Sequence, residues 1–237
     1  MVFCEETIIN KLGTQARGIF VKLVFYSLNN FDEGVVMSTL EKNSEAIEGI
    51  QKHTKNREQL EQEVRAFLDE ASSKPGTSTK PGCPLRHGLA CVLATVHENI
   101  PRTTPVDFFC DGLTIWIAGE PGLKIRNIRS NPNVAVGIYH PMDHSKHNRS
   151  LQIQGTAELI NMNNNKEEVI ARAQQFGIYQ AVEKMLREHN QEAKTVDDGV
   201  INVIKRFNFI RIEPEEIIFL SIHPTEGTTK DVWKKIK

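Results

Sequence analysis

The sequence predicts a mainly β protein of the α+β class: a small antiparallel barrel of about six or seven strands with flanking helices, preceded by a helical arm. Three observations predict it. Beyond residue 84, short runs rich in β-branched and aromatic residues recur at close intervals, separated by turn residues. Several of these runs are apolar at nearly every position, the pattern of a strand buried on both faces. Residues 72–84, SSKPGTSTKPGCP, hold two Lys-Pro-Gly triplets and divide the chain into two textures, an arm over 1–71 and a barrel over 85–237 with this linker between them.

In the arm, Ser38 and Glu41 have capping-box spacing. Leu60, Val64, Phe67 and Leu68 follow at i, i+4, i+7 and i+8, one apolar stripe on an otherwise charged helix that must be buried against the barrel or a partner. After the linker, strands are expected over 89–96 (LACVLATV), 103–110, 113–118, 134–139, 151–160, 207–212 and 217–222. Asp111-Gly112 marks a hairpin, and Asn165 is placed to cap a helix over 166–190.

Bulk composition narrows the function. The 237 residues are 39% hydrophobic with a formal net charge of −1, which gives no basis for general binding to nucleic acid or a membrane surface. The most apolar N-terminal run, 18–27, contains Lys22 and falls short of the roughly 20 residues that span a bilayer. Among the four cysteines no Cys-x-x-Cys pair occurs, so free thiols in a reducing cytoplasm are expected, with Cys91 and Cys110 as buried small residues. No P-loop, dinucleotide-type glycine fingerprint or Gly-x-Ser-x-Gly elbow is present.

The segment 115–139, IWIAGEPGLKIRNIRSNPNVAVGIY, is a strand, a glycine-bounded turn, a short basic helix and a second strand. A helix start exposes N–H groups without intrahelical partners and carries partial positive charge. Gly119 and Gly122 allow close approach, and Lys124 lies in the first turn with Arg126 and Arg129 beyond it. Such a grouping suits a phosphate, and it equally suits a solvated basic crossover. His140, His144 and His147 with Asp143 lie in the loop HPMDHSKHNRS; with Lys146 and Arg149 interleaved, the expectation is a solvated loop rather than a metal site, the alternative being one histidine as a proton donor beside a bound cofactor. Trp116 is expected in the core, and Trp233 as a pin for the C-terminus.

The combination CVLATV (91–96), IPRTTPV (100–106), DGLTIWIA (111–118), Gly122-Leu-Lys124, RNIRSNPNVAV (126–136), LQIQGTAELI (151–160) and RIEPEEIIFL (211–220) resembles the pyridoxamine 5'-phosphate oxidase-like, FMN-binding split-barrel family. The resemblance covers roughly the last two-thirds of the chain. It implies a split barrel, FMN as cofactor, and a homodimer with flavin at the subunit interface. Carried onto this sequence, Lys124 would hold the FMN phosphate with Arg102, Thr103 or Thr104. The ring would lie along Thr104, Pro105, Val106, Ile117 and Ala118, with Ser150 and Gln152 reaching in from the second subunit. An FMN-dependent oxidoreductase acting on a small molecule is the activity implied, with no catalytic side chain singled out. The same fold also admits non-catalytic binding of flavin, haem or a deazaflavin. Leu123 and Phe109 stand where the vitamin B6 enzyme carries basic residues, and Arg211-Ile-Glu-Pro214 has no nearby tryptophan, which separates this chain from that enzyme.

Overall fold

A computed structural model describes residues 50–51, 55–76, 84–143, 145–188 and 196–236; the Ser38/Glu41 spacing, Cys4, Cys83 and His144 lie outside them. These residues belong to one compact unit, Gly49–Lys237. After a two-residue strand β1 (Ile50–Gln51) comes α1 (Arg57–Ala71), started by a capping box in which Asn56 accepts from the Gln59 N–H at 2.9 Å. The predicted stripe is the buried face of α1: Val64, Phe67 and Leu68 have no exposed surface, and all three belong to the barrel core. Each such burial contributes about 1.5–3 kcal/mol, so α1 is an integral wall of the fold.

Part of the proline-rich segment is ordered by pairing. β2 (Lys74–Pro75) ladders with β3 (Leu85–Arg86), where Pro75 takes the edge position at which a missing N–H costs least. The barrel follows as β4 (Ala90–His97), β5 (Ile100–Asp107), β6 (Phe109–Asp111), β7 (Thr114–Gly119), α2 (Leu123–Ser130), β8 (Asn133–Tyr139) and β9 (Asn148–Ile160). Three helices, α3 (Lys166–Gln175), α4 (Ile178–Glu188) and α5 (Val196–Ile204), precede β10 (Asn208–His223) and β11 (Gly227–Lys234). The main sheet runs β1-β11-β10-β9-β8-β4-β5, with β7 added to β10 and β6 to β7. Apart from the parallel β1–β11 pair, its pairings are antiparallel.

Curling the sheet depends on β10. Phe209–Ile212 pairs with both β9 and β7; beyond a bulge at Pro214/Glu216 the same strand pairs with β9 and β11. The bend is tight: a Cβ on Gly155 would stand 2.3 Å from the Glu213 carbonyl oxygen, so only glycine fits. Inside the curl, Cys91, Leu93, Val136, Ile138, Leu151, Ile153, Ile210 and Ile217 fill a core that α1 and α2 close. A second core, around Trp116, Phe176 and Phe209, lies under α3–α5. The architecture is the predicted antiparallel split barrel with flanking helices.

Candidate cofactor site

The split is a consequence of one strand changing partners. β5 and β6 are nearly continuous, interrupted only at the fully buried Phe108. Before that hinge the strand pairs with β4, from His97↔Ile100 to Ala90↔Asp107; after it, with β7, ending at Phe109↔Trp116. β5 therefore stays close to β7 without laddering to it. Along this gap the outer edge of β5 and the edge of β7 over 117–119 carry N–H and C=O groups with no strand partner among the described residues. Pro101 and Pro105 are tolerated in β5 because it is an edge.

At one end of the gap stands α2. Its N-cap Gly122 has extended backbone (φ 172°) and no side-chain cap, its first turn holds no acid, and its first backbone bond runs from the Arg126 N–H to the Gly122 carbonyl at 3.2 Å. The preceding N–H groups are those a helix leaves open. Lys124 folds back over Gly119: a Cβ there would lie 3.2 Å from the lysine Cε, closer than side-chain contacts ordinarily come. Lys124 is half-buried and, among the described residues, has no hydrogen-bond or ion-pair partner. One turn on, buried Asn127 donates to Thr95 Oγ1 at 3.0 Å, fixing α2 to β4. Thr95 is the cross-strand partner of exposed Arg102, so α2, which carries Lys124, is fixed at the end of the β4–β5 pair where Arg102 stands. Arg102 has no acidic partner among the described residues either.

The predicted contacts fall into two groups. The ladder sets Arg102, Thr104 and Val106 on the inward row of β5 with Cys91, Leu93 and Thr95, and Thr103 and Pro105 on the outward row. Ile117 is fully buried and Ala118 half-buried, so β7 offers its backbone edge here more than its side chains. Lys124 joins these residues through α2. Ser150 and Gln152 do not: Gln152 follows Gly137, Val92 and Pro105 across the outward face, three strands or about 14 Å from β5. Within one protomer they lie outside the split. Sequence reasoning missed Asn127 and Thr95; the i, i+3 spacing of Lys124 and Asn127 on a short helix was the available signal.

The family model for pyridoxamine 5'-phosphate oxidase matches residues 85–221, from β3 into β10. The chain belongs to that family. No curated protein matches it. Among solved structures, the chain is similar to a candidate pyridoxamine 5'-phosphate oxidase from Listeria innocua, with 23% identity over 67% of this chain and 95% of the other at a TM-score of 0.42. A FAD-binding protein from Mesorhizobium loti is 18% identical over 56% of this chain and 86% of its own, with a TM-score of 0.40. A heme binding protein from Mycobacterium smegmatis is 14% identical over 62% and 52%, at 0.41.

Of the positions compared above with the vitamin B6 enzyme, Phe109 and Arg211 make structural contacts, whereas Leu123 is 40% exposed. Phe109 is buried and stacks on Phe176 at 4.8 Å. Arg211 pairs with Glu158 and Glu168 and lies 5.9 Å over Trp116, whose ring Arg172 approaches at 4.4 Å. Trp233 pins the last strand to α1, its indole N–H donating to Glu61 at 3.1 Å.

The histidine loop lies at the far end of β8, about 20 Å of strand from α2. His140 packs edge-on to Phe67 at 5.1 Å and sits 3.6 Å from Glu70; His147 Nε2 is 2.7 Å from Ser221 Oγ. Burial, with Arg149 and His223 nearby, lowers the His147 pKa. Among the described residues no three metal-ligating side chains converge. The Cys91 thiol is pushed up to about 12 by burial and Cys110 is raised for the same reason, so neither is a nucleophile. No helix among the described residues is long and apolar enough to cross a membrane.

Proposed function

We propose that this chain is an FMN-binding flavoprotein and an FMN-dependent oxidoreductase for a small molecule, working in the cytoplasm as a homodimer with flavin at the subunit interface. One observation carries the reading: an unpaired, half-buried lysine beside an uncapped helix start, at the mouth of a gap between two unladdered strand edges. A phosphate needs such a cation and such N–H groups, and a flat heterocycle with polar edges needs the free backbone of β5 and β7.

In this reading Lys124 and the opening N–H groups of α2 hold the phosphate, assisted by Arg102 and by Thr103 or Thr104. The backbone at Thr104, Pro105, Val106, Ile117 and Ala118 orients the ring. Bound flavin supplies the redox chemistry, while the chain fixes its position and keeps water from one face. Support for the dimer comes from the outward face of the sheet. Val92, Ala94, Val96, Ala135, Ile218 and Leu220 lie on it beside Tyr139, which is 53% exposed, and Val232, at 46%. An apolar outer face of this kind is expected to meet another copy. Ser150 and Gln152 stand on that same face, where a second protomer would bring them to its partner's flavin. Free thiols at buried Cys91 and half-buried Cys110 suit a reducing compartment.

The test is the chromophore. Purified protein should show the two-banded visible absorbance of an oxidised flavin, or take up added FMN stoichiometrically, and the bound flavin should bleach with dithionite. Protein that is colourless and does not take up FMN would remove the proposal.

A further inference from the structure

On the other side of the Gly119–Gly122 turn lies a cleft of about 640 Å³ that the flavin reading does not use. Three elements meet there: the last turn of α2 with Arg129, the β9–α3 turn with Asn161 and Asn163, and the α5–β10 turn with Lys205, Arg206 and Phe207. Its volume falls within the range of small-molecule sites, roughly 300–1,000 Å³. Five arginines elsewhere, Arg65, Arg149, Arg172, Arg187 and Arg211, have carboxylate partners. Arg129 and the Arg206 guanidinium have no hydrogen-bond or ion-pair partner among the described residues, and Lys205 is bonded only to the neutral Asn202. A basic residue at one helix C-terminus is ordinary, since it answers the dipole. Here one helix and the turn after another deliver three cations to one concavity, against a single lining acid, Glu120.

The remaining lining groups specify more than a bare anion. Half-buried Phe207 offers an aromatic surface. The Asn161 amide is committed to Asn208 Oδ1 and the Asn163 N–H, which leaves the exposed Asn163 amide as donor and acceptor at the rim. Cations for phosphates, a ring for stacking and an amide for a heterocycle's edge are the complement of a nucleotide. We propose that this cleft binds a nucleoside diphosphate, with Arg129 and Arg206 on the phosphates and Phe207 against the base. The cleft adjoins the flavin seat through Gly119, whose Cβ would stand 3.4 Å from the Asn208 carbonyl oxygen and 3.2 Å from Lys124 Cε, with Asn208 itself lining the cleft. The nucleoside diphosphate is therefore either the adenylyl half of a flavin dinucleotide or that of a dinucleotide reductant. Only this choice of source rests on the proposed function; the binding claim stands without it.

The experiment is calorimetric titration of the full-length protein with ADP, inorganic pyrophosphate and FMN. ADP should bind more tightly than pyrophosphate, and Arg129→Ala and Arg206→Ala should each weaken ADP about tenfold while leaving FMN affinity unchanged. Phe207→Ala should weaken ADP and spare pyrophosphate. FAD outbinding FMN, with the advantage lost in Arg206→Ala, assigns the cleft to the flavin; an Arg206-dependent affinity for NADPH assigns it to the reductant. Failure of ADP to saturate, or ADP affinity equal in the wild type and both arginine variants, overturns the inference. ADP binding without FMN binding would overturn the flavin proposal and leave this one standing.

Discussion

The two ends of the barrel treat charge in opposite ways. Around α1 the cations are consumed locally: Arg65 bonds Glu61, Arg149 bonds Glu70 while lying over Phe67, and Lys55 reaches Glu63 and Asp231. At the start of α2, Arg102 and Lys124 have no acidic partner among the described residues, and the first turn of the helix has no acid. Paired charge together with full burial of Val64, Phe67 and Leu68 identifies the α1 end as scaffold. Unpaired charge beside open N–H groups at the α2 end is what the proposed phosphate seat rests on. The difference shows that what a charged residue lacks can inform on function more than what it contacts.

The contrast breaks most visibly if the α1 end is not scaffold. Phe67→Ala should cost about 3–5 kcal/mol in chemical denaturation, since it opens a cavity beneath both α1 and the His140 ring. A cost under 1 kcal/mol would put α1 outside the cooperative core. Asn127→Ala should cost less, about 1–3 kcal/mol, because it leaves a buried Thr95 hydroxyl without its donor; it should also weaken FMN by loosening α2. Equal FMN affinity in that variant would detach α2 from the site.

Smaller effects sharpen the same division. Cys91 is protonated in the fold to about 12 against an ordinary 9.0, so only the unfolded chain ionises between those values. Stability should be intact below pH 9.0 and decline as pH rises above it, and Cys91→Ala should flatten that alkaline limb. Smallest of all, Glu70→Gln should cost no more than about 1 kcal/mol, because its carboxylate is half exposed and its pair with Arg149 is screened.

Much of this was legible in the sequence. The stripe from Leu60 to Leu68, the Asp111-Gly112 hairpin and the Asn165 cap each follow from a local rule, and the structure repeats them, whereas β4, read as buried on both faces, alternates fully buried with half-buried residues. Ordering at Lys74–Pro75 was not legible, because a proline-rich stretch gives no sign of the partner, Leu85–Arg86, that holds it. For the site, Lys124 and the glycine-bounded turn were visible as a motif. The split was not: it depends on β5 leaving β7 at Phe108, a long-range choice set by β4, and no residue in IPRTTPVDFF announces it. The cleft at Arg129 and Arg206 joins positions from three distant turns, so it exists only in the folded chain.

At the centre of the account stands the Lys124 ammonium as the partner of a flavin phosphate. Equilibrium titration of the wild type and Lys124→Ala with FMN and with riboflavin, which lacks the phosphate, tests it as a double-difference cycle. The wild type should prefer FMN by about tenfold or more, and the variant should lose that preference while binding riboflavin as before and unfolding at an unchanged midpoint. An FMN preference that survives in Lys124→Ala would contradict the account.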